Sequence, residues 1–281
     1  MFFGDRTMTR NETLIELRDV TCRRRRQGGG VETALEGVSL RLRAGENLVV
    51  LGAGGAGKTT LASVLAGVIS PTEGEVARGA PLERRDAATL PLGLIAQNPE
   101  DTFTSPVVRE EMGLVLQNLD WDDAELDRAV DAMLAEVGLE EYADSHPALL
   151  SGGQKQLLAA ASIVIADPHL LVLDEPLSLL DCRGRAEVNA FVAERAKRQD
   201  RSMIYLSSEV EDALRGERTV VLAGGMVAWD GRREDFPLEE DTLSQWGLQT
   251  PDLSALAALL FPEDDPRRGR IWTPGELARH L

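Results

Sequence analysis

NLVVLGAGGAGKTTLASVLA, residues 47–66, passes from a strand to a loop to a helix within twenty positions. The run NLVVL is apolar on both faces, as a strand buried in a parallel sheet is. Gly52 ends it abruptly, and a helix is expected from about Lys58 to Ala66. Between them, Gly52-Ala53-Gly54-Gly55-Ala56-Gly57-Lys58-Thr59 fits the spacing G-x-x-x-x-G-K-[ST] in the strand-to-helix context that this spacing requires. The glycines let backbone N–H groups wrap a β-phosphate at the positive end of the helix. Lys58 supplies a point charge to the β- and γ-phosphates of ATP, the Thr59 hydroxyl can ligate Mg²⁺, and Thr60 completes the nucleotide-binding positions.

The rest of the chain fits a nucleotide-binding protein of ordinary globular composition. Its 281 residues, 43% apolar, suffice for one or two domains with a substantial core. Acidic residues outnumber basic ones 47 to 30, and the net charge of -17 repels a polyanion, so no nucleic-acid partner is expected. Cys22 and Cys182 lie far apart without Cys-x-x-Cys spacing, which suggests neither a disulfide framework nor a zinc site. No apolar run approaches the roughly 20 residues of a membrane span, and MFFGDRTMTR lacks the apolar core of a signal peptide. The chain itself is expected to be soluble.

TLIELRDVTC and ALEGVSLRLRAGENLVVLG alternate in strand-length pieces, with RRRRQGGG, residues 23–30, read as a turn between them. HLLVLDEP and SMIYLS read as further buried strands, and RGRAEVNAFVAERAKR as a helix, an alternation that implies a parallel sheet covered by helices. From about Val107 to Val137 the period is helical, which suggests an inserted helical subdomain within about residues 100–155. After about Asp235 the composition turns to Pro, acidic residues and short apolar helices, so residues 1–234 are expected to form the main domain and 235–281 a small extension.

The strand LLVLDE ends in two carboxylates, which are costly at the end of an apolar strand unless used. Asp174 is placed to hold the Mg²⁺ shell and Glu175 to polarise an attacking water. About ninety residues after the first loop, ALLSGGQKQLL sets Ser151, Gly152, Gly153 and Gln154 before an apolar, alanine-rich helix, a second anion site where one nucleotide needs only one.

LSGGQKQ, preceded by the P-loop and followed by VLDEP and SLLD, resembles the ATP-binding-cassette (ABC) ATPases. That resemblance implies an α/β P-loop NTPase core with a mainly parallel sheet, an N-terminal antiparallel β subdomain, an inserted helical subdomain and a small C-terminal extension. It also implies that two cassettes pack head to tail. Ser151, Gly152, Gly153 and Gln154 would then hold the γ-phosphate of a partner's ATP, with Asp181 at the dimer seam. Gln97, in GLIAQNPED, would sense Mg²⁺ and couple to a membrane partner. QNPED, REEMGLVLQNL, LDCRGRAEV and GRIWTPGELARHL resemble the energy-coupling-factor (ECF) importers, including their cobalt and nickel members. The implied partners are a second ATPase chain, a transmembrane coupling protein and a small membrane protein that captures a vitamin or a transition metal. The implied place is the cytoplasmic face of the membrane, and the C-terminal tail would help hold the ATPase dimer together.

Four positions depart from the family pattern, one of them Cys182, which replaces a common proline and is assigned no role. Arg24 stands where an aromatic residue usually stacks on adenine, and its guanidinium plane can serve instead. Leu157 replaces an arginine of the signature helix, and Ser208 replaces the histidine that contacts the γ-phosphate. The expected function is an ATPase powering an ECF-type importer, its own site slowed by Ser208. Two alternatives stand beside it: an ATP-binding scaffold that completes a partner's site, and the ATPase of another ABC transporter class. Retained Glu175 argues against the scaffold, and the lost histidine argues for it.

Overall fold

The computed structural model describes residues 12–25, 29–83, 90–119, 121–198 and 200–261, together with 272, 273, 276, 278 and 279. From the N-terminal side run β1 (Thr13–Arg25), β2 (Val31–Arg43), β3 (Asn47–Leu51), α1 (Lys58–Ala66), β4 (Glu73–Arg78), the one-turn α2 (Ala80–Glu83) and β5 (Leu92–Ile95). The helical insertion follows as α3 (Val108–Gln117) and α4 (Asp123–Val137). Next come α5 (Gly152–Val164), β6 (Leu170–Asp174), α6 (Cys182–Ala196) and β7 (Ser202–Ser207). A hairpin of β8 (Arg218–Ala223) and β9 (Met226–Arg232) precedes α7 (Glu240–Gln245) and α8 (Asp252–Leu260).

Two sheets result. The smaller is antiparallel in the order β2-β1-β4, and the larger runs β5-β6-β7-β3-β8-β9, parallel except at β9. β3 lies between β7 and β8, with Val50 opposite Leu206 and Val220. Its side chains divide by the strand period of two. Leu48 and Val50 enter one core cluster with Leu61 and Leu65 of α1 and the small sheet, while Val49 and Leu51 enter another with residues of α3–α6. At about 1.5–3 kcal/mol for each fully buried Val or Leu, this double coverage holds β3 and the loop it carries in a fixed place.

The helix at Lys58–Ala66 and the strand-free helical insertion stand as expected from the sequence. The arginine run differs: β1 continues through Arg25 rather than turning. Cross-strand charge pairing explains the extension, for Arg24 sits opposite Glu32 in register and Arg23 pairs with Glu73 at 2.5 Å. The extension begun near Asp235 shares the main core, since Phe236, Leu238, Leu243 and Leu248 are buried in the cluster that holds Val49 and Leu51. The first ten residues, and most of GRIWTPGELARHL, lie outside the described residues. Among the described residues no helix is long and apolar enough to cross a membrane.

Candidate nucleotide-binding site

Gly52, Gly54, Gly55, Ala56 and Gly57 form the loop between β3 and α1, and no side chain caps the first turn of α1, whose N-cap is Gly57. Helix-start N–H groups without a side-chain cap are available to an anion. Lys58 is only 5% exposed. Its Nζ donates to the carbonyls of Gly52 at 2.6 Å and Ala53 at 3.0 Å, and meets Oε1 of Glu175 at 3.0 Å, so all three ammonium protons are engaged.

β6 delivers the two carboxylates. Asp174 is buried, its Oδ1 has no hydrogen-bond partner, and the Thr59 hydroxyl bonds to its carboxylate. Burial raises its pKa above the usual carboxylate range, against the opposing effects of Thr59 and the Lys58 charge. The chain then breaks out of the strand, because Glu175 holds φ at 47°, a conformation costing about 1–3 kcal/mol for a side-chain-bearing residue and kept only where surroundings enforce it. Glu175 N donates to Leu206 O at 3.0 Å, which fixes the bend against β7. Gln97, just past β5, directs Nε2 to Oε2 of Glu175 at 3.4 Å and to the Ser178 hydroxyl at 3.2 Å. Lys58, Thr59, Gln97, Asp174 and Glu175 therefore converge, and Thr60 follows on the same helix.

Ser208 is exposed one residue beyond β7. Its neighbour Ser207 is tied to the P-loop by Gly52 N donating to Ser207 O at 3.1 Å, and to Asp212 by a 2.6 Å hydroxyl–carboxylate bond. Arg24 lies near the end of β1, its side chain 68% exposed and paired to Glu32 at 3.2 Å.

The second loop lies elsewhere on the chain. Ser151 Oγ accepts from Gln154 N at 3.3 Å while Gln154 Oε1 accepts from Ser151 N at 2.9 Å, a reciprocal cap on α5. Asp181 caps α6 by a single bond, accepting from Gly184 N at 2.8 Å. The two helix starts touch through glycine: a Cβ on Gly153 would lie 2.8 Å from Gly184 Cα. Ser151, Gly152, Gly153, Gln154 and Asp181 line one open cleft of about 1230 Å³, and no residue of 52–60 lines it. Leu149 and Leu179, 73% and 66% exposed, flank this loop. One chain thus carries two phosphate-type loops that do not share a pocket.

Sequence reading missed the links between these parts. Lys155 pairs with Glu100, and Gln156, 1% exposed, donates to Ala96 O at 3.3 Å, so α5 is bound to the segment bearing Gln97. A buried glutamine inside an alanine-rich helix was the available signal. Leu157, in the place of the family's arginine, packs in the core at 5% exposure.

This fold and this clustering define a P-loop nucleotide-binding cassette. The family model described as ABC transporter matches residues 35–178. The energy-coupling factor transporter ATP-binding protein EcfA1 of Symbiobacterium thermophilum is 34% identical over 256 residues, covering 89% of this chain and 89% of that protein. The cobalt import ATP-binding protein CbiO of Syntrophus aciditrophicus is 34% identical over 247 residues, covering 86% of this chain and 87% of that protein. Among solved structures, cbiO1 from Clostridium perfringens superposes with a TM-score of 0.66 at 21% identity over 96% of this chain and 100% of that one. A dimeric ATP-binding cassette in a post-hydrolysis state bound to ADP and Pi gives a TM-score of 0.69 at 24% identity over 79% of this chain and 100% of that one. The chain belongs to the ABC transporter family and is an ATPase of that class.

Proposed function

We propose that this chain is the ATP-hydrolysing subunit of a membrane importer of the ECF or cobalt type, lying on the cytoplasmic face of the membrane. Its partners would be a second cassette, a transmembrane coupling protein and a membrane protein that captures a vitamin or transition metal ion. The relatives named for energy-coupling-factor and cobalt transporters support this reading. Residues 1–234 act as the ATPase domain, with the helical subdomain within about 100–155, and 235–281 as an extension for dimerisation.

One observation carries the reading: Lys58, Asp174 and Glu175 sit together, while Ser151, Gly152, Gly153, Gln154 and Asp181 line a separate cleft. Two such chains, head to tail, let each second loop meet the other's ATP. Gly52 to Gly57 and Lys58 cradle the phosphates, and Arg24 stacks on the adenine. Glu175 holds the attacking water as its proton acceptor. The donors for a divalent cation are a carboxylate, a hydroxyl and an amide from Asp174, Thr59 and Gln97, a sparse oxygen set that suits Mg²⁺, which keeps several waters and phosphate ligands. The unpartnered, buried Oδ1 of Asp174 fits this assignment. Mg²⁺ would neutralise charge on the phosphates there.

The scaffold alternative keeps one observation in its favour, Ser208 in place of a histidine. Both readings are tested by isolating the native membrane complex through this chain, identifying its subunits and measuring ATPase activity with Lys58→Ala in this chain alone. The importer reading expects co-isolated membrane proteins and a lost share of turnover. Unchanged turnover would select the scaffold, and recovery without any membrane protein would sink the importer.

A further inference from the structure

α7 ends with a left-handed cap at Gly247, φ 71°. Leu248 N donates back to Leu243 O at 2.9 Å and Gly247 N to Ser244 O at 3.0 Å, which satisfies the last carbonyls of the helix. Leu243 and Leu248 are buried in the same core cluster as Val49 and Leu51, the residues that lead into the P-loop. Trp246, directly before the glycine, lies 6.1 Å from Phe236, whose ring also meets Trp229 at 5.1 Å and Trp272 at 5.8 Å. This aromatic group anchors the end of α7. What the cap then touches is the P-loop: a Cβ on Gly247 would stand 3.1 Å from Cβ of Ala53, with no other described atom beyond its chain neighbours within 4 Å.

Ala53 ties two parts of the cradle together. Its carbonyl accepts from Ala56 N at 3.1 Å and from Lys58 Nζ at 3.0 Å, so it shapes the loop and aims the lysine at once. We infer that Gly247 is a positioning residue for the ATP site: the end of α7 backs the P-loop at Ala53, and the C-terminal segment thereby sets the chain's affinity for ATP. The inference rests on the P-loop being the ATP site. A helix cap alone would also require glycine here, and the fold supplies a matched comparison. Gly138 ends α4 at φ 69° with the same pair of bonds, Gly138 N to Ala135 O and Leu139 N to Leu134 O, yet a Cβ there meets nothing within 4 Å. Alanine at either glycine strains the backbone alike, and only at 247 does the new methyl press on Ala53.

The test is ATP affinity of the full chain by equilibrium dialysis, with thermal unfolding measured alongside. Gly247→Ala should weaken ATP binding about tenfold, and Gly138→Ala should leave it within about twofold while lowering Tm by a similar amount. In a chain already carrying Ala53→Gly, adding Gly247→Ala should lower Tm without further loss of ATP affinity, because the methyl that would be crowded is gone. If Gly247→Ala does not fold, Ala53→Val presses the same contact from the loop side with Gly247 unstrained, and the same loss is expected. Equal affinity in the Gly247→Ala (or Ala53→Val) and Gly138→Ala chains overturns the inference, as does a loss that persists with Ala53→Gly. A wild-type chain that binds no ATP would overturn the P-loop reading itself, and this inference with it.

Discussion

The ammonium of Lys58 and the carboxylate of Glu175 lie 3.0 Å apart, so the group that would hold phosphate and the group that would activate water are paired to each other. Incoming phosphates must take Lys58 from Glu175. Glu175 is 16% exposed and keeps Gln97 as a second partner, so the exchange opposes binding by about 1 kcal/mol, well under the figure for a fully buried pair. Glu175→Gln removes that competitor and should bind ATP about fivefold more tightly while hydrolysing almost none, which traps a closed dimer. Lys58→Ala should instead lose affinity and leave Glu175 without its cation. Equilibrium dialysis and turnover in the assembled complex check both, and parental turnover by Glu175→Gln would show that another group is the base.

Asp174 should cost the empty fold stability. Its folded pKa lies above the ordinary 3.8, so between those two values the folded chain holds the proton more tightly than the unfolded one. Stability therefore falls as pH rises through that window, and the loss is complete above it. Asp174→Asn should raise Tm in the absence of Mg²⁺ and ATP, because the amide carries no charge to bury. The same variant should lose the extra stabilisation that Mg²⁺ adds to ATP. Calorimetry with and without Mg²⁺-ATP decides it: a lower Tm for the empty variant contradicts the account.

The second loop should act on another chain's nucleotide. Gly153 is a poor place to test this, because any side chain there collides with Gly184 and disturbs the α5–α6 contact. Gly152 is exposed with only Leu180 at 4.0 Å, so Gly152→Asp adds a negative charge at the loop and leaves the packing intact. In a tethered pair, Gly152→Asp and Lys58→Ala on the same chain should damage both sites, whereas on opposite chains they should fall on one site and spare the other. Equal activity of the two arrangements would rule out the sandwich.

Much of this was legible in local sequence, and the failures have physical causes. β3, β6 and β7 read as strands because both their faces are covered, which leaves continuous apolar runs. Arg23 to Arg25 read as a turn because a strand stabilised by cross-strand charge pairs shows no hydrophobic period. β5, four residues long, disappeared into the segment around Gln97. Lys58, Asp174 and Glu175 were visible because glycine spacing and paired acids are local signals. Ser178 beside Gln97, Lys155 with Glu100 and Gly247 against Ala53 were not, since each contact joins distant segments that only the folded sheet brings together.

The chain's own site should be slow because Ser208 stands where a histidine could donate to the γ-phosphate. A preorganised donor of this kind accounts for about 2.7–4 kcal/mol of transition-state stabilisation. The loop that would present it is already built. Gly52 N holds Ser207 O, Ser207 Oγ bonds Asp212 and its Oγ accepts from Glu209 N at 3.0 Å, while Glu209 pairs with Arg185 at 2.6 Å. Ser208 is exposed beside these fixed neighbours, so a histidine there needs no repacking of the core. Ser208→His should therefore raise ATPase turnover in the reconstituted complex by about tenfold, a part of the full donor contribution, with little change in ATP affinity. The gain should vanish when Glu175→Gln is added, because the donor assists the chemical step and cannot replace the base. No change, or a fall, would show that Ser208 or a neighbour already supplies the contact.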